Sequence, residues 1–227
     1  MNAAAARVVF LGPSLDANEA ATRLEARYLP PIRRGDLPQV IAEGTRSIGI
    51  IDGEFGQSLA VSVMEICAGL RQGIRIWGAA SMGALRAAEC QSVGMVGVGW
   101  IFQQYAGGHL RNDDEVALLF SSHDLRAITI PLVNIRWALQ LAIEEGVLSK
   151  SSAAALIPLA RSVRFKARRH EVLLEAASGS AWYSGMRTLV EFMRQNPLRT
   201  DRKRLDALLL LDAVHESAPT DPIHASP

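Results

Sequence analysis

Ser81 stands in the stretch Ile76–Glu89, IWGAASMGALRAAE, where an apolar run meets a helix-like run. Small residues surround it, with Ala79 and Ala80 before it and Gly83 two positions after. A serine at a strand-to-helix turn lies beside the unpaired N–H groups of a helix N-terminus. Those donors and the helix dipole stabilise an oxyanion. Hydrolases present a nucleophilic serine on such an elbow, with small neighbours to avoid clashes. Only the second half of the G-x-S-x-G pattern is matched, because Ala79 replaces the first glycine. The competing role for such a serine is a plain helix N-cap.

A serine nucleophile needs a base. None of the histidines (His109, His123, His170, His215 and His224) has a diagnostic context, and the last two lie near the C-terminal end. The lysines are Lys150, Lys166 and Lys203. A lysine desolvated beside a serine has a lowered pKa and can take its proton. Lys166 lies in the basic cluster RFKARRH, whose other reading is a solvated face. The turn LGPSL could offer the Gly12 N–H or the Ser14 hydroxyl to an anion, across Pro13. It carries neither the dinucleotide nor the P-loop glycine pattern. Asp52, in IIDGEF, sits at a strand end, where open α/β sheets place ligands. Asp113, Asp114 and Glu115 could bind a metal, but acids in a first helical turn are favoured without one. Arg86 and Glu89 have the spacing of a helix ion pair. No metal and no cofactor is expected.

The elements that must position these groups alternate. Ala6–Leu11, RSIGIIDG and IRIWGAA read as buried strands, each ending in a turn. Between and after them come the helical stretches ANEAATRLEARY, LPQVIAEG, QSLAVSVMEICAGLRQG and SMGALRAAECQ. Asp36 and Gly44 bracket the second, and Leu59, Val63, Ile66 and Leu70 form the apolar stripe of the third. Strands alternating with helices predict a layered parallel-sheet α/β part. From Gly94 the pattern changes, and HLRNDDEVALLF is expected to turn helical. PLVNIRWALQLAIEEGVL is an amphipathic helix, and from Ser149 onward the chain is helical, with Pro158 expected to kink or split one helix. The division expected is an α/β core over 1–148, a helical C-terminal part over 149–214 and a tail over 215–227.

Hydrophobic residues at 49% and charged residues at 21% suit a chain with a real core. A formal net charge of +1 gives no reason to expect nucleic acid or a membrane surface as partner. The N-terminal MNAAAARVVFLG is too short an apolar run for a span and is read as the first strand. Cys67 and Cys90 make no disulfide framework, which fits a reducing, cytoplasmic setting.

Several short blocks, FLGPSL, PPIRRGDL, IGIIDGEF, WGAASMGALRAAE, GMVGVGWIF, DDEVA and VNIR, occur in the order and approximate spacing of the TfuA-like proteins. The resemblance runs from about Val8 to Ala142, and the block around Ser81 is its most distinctive part. It implies an accessory protein of peptide backbone thioamidation that works beside a YcaO-type cyclodehydratase. The implied activity is hydrolysis of the C-terminal thiocarboxylate of a ThiS-like sulfur carrier, which releases sulfide for the peptide or protein being modified. The resemblance implies a serine–lysine pair, with Ser81 as the serine, and a cleft involving Gly12, Pro13, Ser14, Asp52, Met82, Gly83 and Arg86. It also places Asp36, Asp113, Asp114, Asn134 and Arg136 at the cleft or in its loops. Many members read H-K-E-I in the helix before the third strand, where this chain has Val63-Met64-Glu65-Ile66. The base is therefore open among Lys166, Glu65 and a chain with weak hydrolysis. A non-catalytic adaptor and an unrelated α/β serine hydrolase are the alternative readings.

Overall fold

A computed structural model describes residues 7–56 and 58–217. Ala6 of the expected first strand, and residues 218–227 of the expected tail, lie outside the described residues. Five strands, β1 (Arg7–Phe10), β2 (Arg27–Leu29), β3 (Ser47–Ile50), β4 (Arg75–Gly78) and β5 (Val96–Gly97), form one parallel sheet in the order β2-β1-β3-β4-β5. Val8 faces Ile48, and Ile48 faces Ile76, so apolar pairs run across the centre. β1, β3 and β4 are buried nearly throughout, as strands covered on both faces must be. The chain moves outward from β1 to β2 and then crosses back to β3 on the other side. The strand order reverses between β1 and β3, and the crevice outside the carboxyl ends of these strands is where such sheets hold ligands.

The helices that follow are α1 (Ala17–Ala21), α2 (Asp36–Ala42), α3 (Val63–Arg71), α4 (Met82–Cys90), α5 (Gly99–Ala106), α6 (Leu132–Glu144), α7 (Lys150–Ser162), α8 (His170–Ala177), α9 (Tyr183–Gln195), α10 (Pro197–Thr200) and α11 (Arg202–Glu216). Alternation along the strands divides the core. Val8, Phe10, Ile48, Ile50 and Ile76 pack with Leu37, Val40, Ile66 and Ala87 of α2, α3 and α4. Val9, Ile51 and Trp77 pack on the opposite face with Ala20, Leu24, Leu210, Leu211 and Val214. A second core, built from α6 to α9, gathers Leu132, Ile135, Leu139, Leu156, Leu173, Met186 and Leu189.

The helical C-terminal part therefore divides in two. α7 to α9 join α6 in the second core, whereas α11 returns to the sheet and covers β3, with Leu210 Cδ2 above Gly49. Complete burial of Leu210 and Leu211 contributes roughly 1.5–3 kcal/mol each to that docking. Several local expectations change. ANEAATRLEARY is helical only over Ala17–Ala21, and its end supplies the edge strand β2. HLRNDDEVALLF forms a single 3-10 turn at Asp113–Glu115 and then runs into an irregular hairpin with a bridge between Phe120 and Ala127. Pro158 sits inside a continuous α7, and Ser149 rather than Ser151 caps that helix. Of the helix expected across QSLAVSVMEICAGLRQG, Gln57 lies outside the described residues, and among the rest the helix begins only at Val63, capped by Ser62.

Candidate functional site

Ser81 follows the end of β4 across Ala79 and Ala80 and directly precedes α4. Ala80 holds φ +64°, and the Ser81 N–H donates to Ala79 O at 2.7 Å, which makes a γ-turn centred on Ala80. A residue bearing a Cβ is strained there by roughly 1–3 kcal/mol. The strain falls on Ala80, one residue before the serine. Ser81 occupies the N-cap position of α4, yet its side chain makes no capping hydrogen bond. Ser62, Ser149, Asp16 and Asp201 all cap their helices through side-chain oxygens. The plain-cap role therefore does not explain Ser81.

The small residues around Ser81 have a packing cause. A Cβ on Gly83 would fall 1.7 Å from Ile50 O, and one on Gly78 would fall 2.1 Å from Gly83 O. The first turn of α4 thus rests backbone-to-backbone on the ends of β3 and β4. The Gly83 N–H donates to Ile51 O at 3.3 Å and so is spent on this docking. The Met82 N–H has no backbone acceptor among the described residues. The buried Met82 side chain packs against Gly53, where a Cβ would lie 2.8 Å from Met82 Cγ.

Asp52, at the end of β3, is 2% exposed. Its Oδ2 accepts the N–H groups of Gly12 and Ser14, each at 3.0 Å, and its Oδ1 accepts the Ser14 hydroxyl at 2.6 Å. The donors of the Gly12–Ser14 turn, expected to meet an external anion, are thus taken by the protein's own carboxylate. The same Oδ1 lies 3.6 Å from Nζ of Lys203. Lys203, in the first turn of α11, is 2% exposed, and its Nζ also donates to Val116 O at 3.1 Å. Its backbone N–H donates to Asn134 Oδ1 at 3.2 Å, while Asn134 Nδ2 donates to Asp201 Oδ1 at 2.9 Å. Burial lowers the pKa of the Lys203 ammonium, and the charges of Asp52 and Asp201 oppose this without reversing it.

Ser81, Asp52 and Lys203 line one cavity of about 640 Å³, walled by Pro13, Pro31, Phe55, Phe120 and Phe165. Gly53 lines it too. Lys166 does not line it. That side chain is exposed, with its Nζ 5.8 Å from the centre of the Phe165 ring. Glu65 does not line it either. Its carboxylate closes a capping box with Ser62, accepting the Ser62 N–H at 2.8 Å and hydroxyl at 2.7 Å, and it also accepts the Gly35 N–H at 2.6 Å. Burial would raise the Glu65 pKa, but these hydrogen bonds hold it below the usual carboxylate range. Val63 and Met64, where the resemblance implied a histidine and a lysine, are 38% and 80% exposed and do not line the cavity.

Arg86 ties the structure together away from the cavity, with Nε donating to Val61 O at 2.8 Å and Nη1 to Glu89 at 2.5 Å. Asp36 accepts the Arg33 N–H at 2.7 Å. Asp113, Asp114 and Glu115 form no metal-binding group, and no such group occurs among the described residues. Glu115 instead accepts Arg136 through both oxygens, at 2.8 and 2.9 Å, and Arg161 at 2.6 Å. Asp114 lies 3.8 Å from the fully buried Arg168. No helix among the described residues is long and apolar enough to cross a membrane.

Sequence reasoning missed Lys203. It lies on the apolar stripe of α11, in line with Ala207, Leu210 and Val214, so a lone lysine at a core position was the available signal.

Fold and site together define a layered α/β protein that presents a non-capping serine at the carboxyl edge of a parallel sheet, in one cavity with a buried lysine. The chain belongs to the TfuA-like protein family, whose profile matches residues 52–169, just over half of its length. The matched segment contains Asp52, Ser81 and Lys166, but neither the Gly12–Ser14 turn nor Lys203. A search of curated proteins returned no match. Family membership supports an accessory role in thioamidation.

Proposed function

We propose that this protein hydrolyses the C-terminal thiocarboxylate of a ThiS-like sulfur carrier and releases sulfide for a partner YcaO enzyme acting on a peptide or protein. The observation that carries this reading is the single cavity shared by Ser81, whose hydroxyl caps nothing, and the buried Lys203, whose pKa is lowered. The neutral amine of Lys203 takes the Ser81 proton as Oγ attacks the thiocarboxylate carbon. The developing oxyanion is held by the Met82 N–H. The C–S bond then breaks, Lys203 returns the proton to sulfur, and hydrosulfide leaves an acyl-Ser81 ester. Water, deprotonated by the same amine, cleaves that ester to the carrier carboxylate and free Ser81. Asp52 positions Lys203 and is itself fixed by Gly12 and Ser14.

The test is sulfide release from a thiocarboxylated carrier. Ser81→Ala and Lys203→Met are expected to lose it by roughly a hundredfold or more, and Lys166→Ala to match wild type. A wild type no faster than buffer would refute hydrolysis and leave the adaptor reading. A Lys203→Met variant that is folded and fully active would refute the role of Lys203.

A further inference from the structure

Ser81, Asp52 and Lys203 are each only 2% exposed. Solvent barely reaches them, and a peptide tail is bulkier than water. The wall over them therefore controls what meets Ser81. One part of that wall is held differently from the rest. Leu118, Leu119, Phe120, Ser122, His123 and Leu125 of the irregular hairpin line the cavity. Yet no residue from 118 to 128 is buried, and none packs in a hydrophobic core. Among the described residues, every hydrogen bond and ion pair made over 118–129 stays inside that segment. Leu119 O accepts the Ile128 N–H at 2.7 Å, and the Leu119 N–H donates to Thr129 Oγ1 at 2.7 Å. At the tip, Ser121 N–H donates to Arg126 O and Leu125 N–H to Ser121 O, each at 2.9 Å, and Asp124 pairs with Arg126.

Both ends of the segment are anchored. On one leg Glu115 is held by Arg136 and Arg161, and Val116 O accepts the Lys203 ammonium. On the other the Ile130 N–H donates to Arg168 O at 2.8 Å, and Arg168 is fully buried. A segment without buried residues or outside bonds, fixed at both ends, is the kind that opens as a unit while the rest stays folded. Leu125 also holds φ +57°, a strained value for a bulky residue, so the tip is not at its local backbone minimum when closed.

We propose that residues 118–129 form a hinged lid over Ser81, which lifts to admit the C-terminal tail of the carrier and closes over it. The identity of the tail rests on the hydrolase reading. The lid itself rests on the burial of Ser81 and on the bonding of the hairpin. Val116 lies before the hinge, so the carbonyl that holds Lys203 stays in place as the lid moves.

Two measurements test the lid. The first is amide hydrogen exchange of the full-length protein. The Ser121 and Leu125 amides are expected to exchange roughly a hundredfold or more faster than those of Ile51 and Ala79, which donate to backbone carbonyls at the strand ends. Equal protection overturns the lid. The second uses Ser81→Cys and N-ethylmaleimide, with labelling read by mass spectrometry on the peptide that carries position 81. It is compared with the same variant in which residues 120–127 are replaced by Gly-Gly. That change leaves the bond from Ile128 N–H to Leu119 O closing a two-residue turn. Labelling is expected to rise by roughly tenfold or more with the lid shortened. An unchanged rate, or a shortened chain that melts more than about 5 °C lower, overturns the proposal, because the hairpin would then be part of the folded core. If wild type releases no sulfide from a thiocarboxylated carrier, the hydrolase reading fails, while exchange and labelling still decide the lid.

Discussion

Gly83→Ala probes how Ser81 is held in place. By local propensity alone this substitution stabilises α4 by about 1 kcal/mol, since alanine is the better helix former. Packing predicts the opposite sign. The new Cβ would lie 1.7 Å from Ile50 O and 2.6 Å from Ile50 C, where ordinary contact begins at 3.4 Å, a deficit of about 1.7 Å. Both atoms belong to the backbone at the end of β3, so no rotamer change relieves the clash. The helix must retreat, at a cost of about 3 kcal/mol, the upper end of overpacking penalties. The net loss is about 2 kcal/mol, or roughly 4–8 °C in Tm for a domain of this size. The retreat also moves Ser81, and a misplacement of 1 Å costs about a hundredfold in turnover. Thermal unfolding followed by circular dichroism reads the first effect and sulfide release the second. A variant with a Tm at or above wild type would refute the argument that backbone contact sets the serine's position.

Glu115→Gln is expected to destabilise the protein by about 1–3 kcal/mol in urea unfolding, because Arg136 loses its bidentate carboxylate while the half-exposed Arg161 is left to water. Burial would raise the Glu115 pKa, but the two arginines hold it below the usual range. Its contribution is therefore full above the unfolded value near 4.5 and is lost as the pH falls through the lower folded value, so the gap between wild type and variant should close in acid. Sulfide release should rise with pH along a limb below the ordinary lysine value of 10.5, because the lowered Lys203 pKa frees the amine earlier. Lys203→Arg should abolish that limb, and a persisting limb would assign it to another group.

The alternation of β1, β3 and β4 with helices was legible in the sequence because those strands are buried on both faces and read as continuous apolar runs. β2 was not, because its three residues form an exposed edge and follow a helical pattern without a break. Ser81 was legible through its small neighbours, although the reason for them, backbone packing of Gly83 on Ile50 and of Gly78 on Gly83, exists only in three dimensions. Only side-chain geometry removes the cap role, since it shows no capping bond. Lys203 is 122 positions from Ser81 in the chain and reaches the cavity because α11 folds back onto the sheet. A one-dimensional reading left Lys166 and Glu65 open as the base; in the fold Lys166 is exposed, although Arg168 of the same basic cluster is fully buried. Asp52 was placed at the right strand end, but its partners, Gly12, Ser14 and Lys203, come from two distant segments.

The central claim is that Ser81, served by Lys203, forms an ester with the carrier. Intact-mass spectrometry of the protein mixed with thiocarboxylated carrier and quenched in acid tests it most directly. The account predicts a covalent protein–carrier adduct that maps to Ser81 in wild type and is absent in both Ser81→Ala and Lys203→Met. Sulfide release by wild type without such an adduct, or an adduct on another residue, would contradict it.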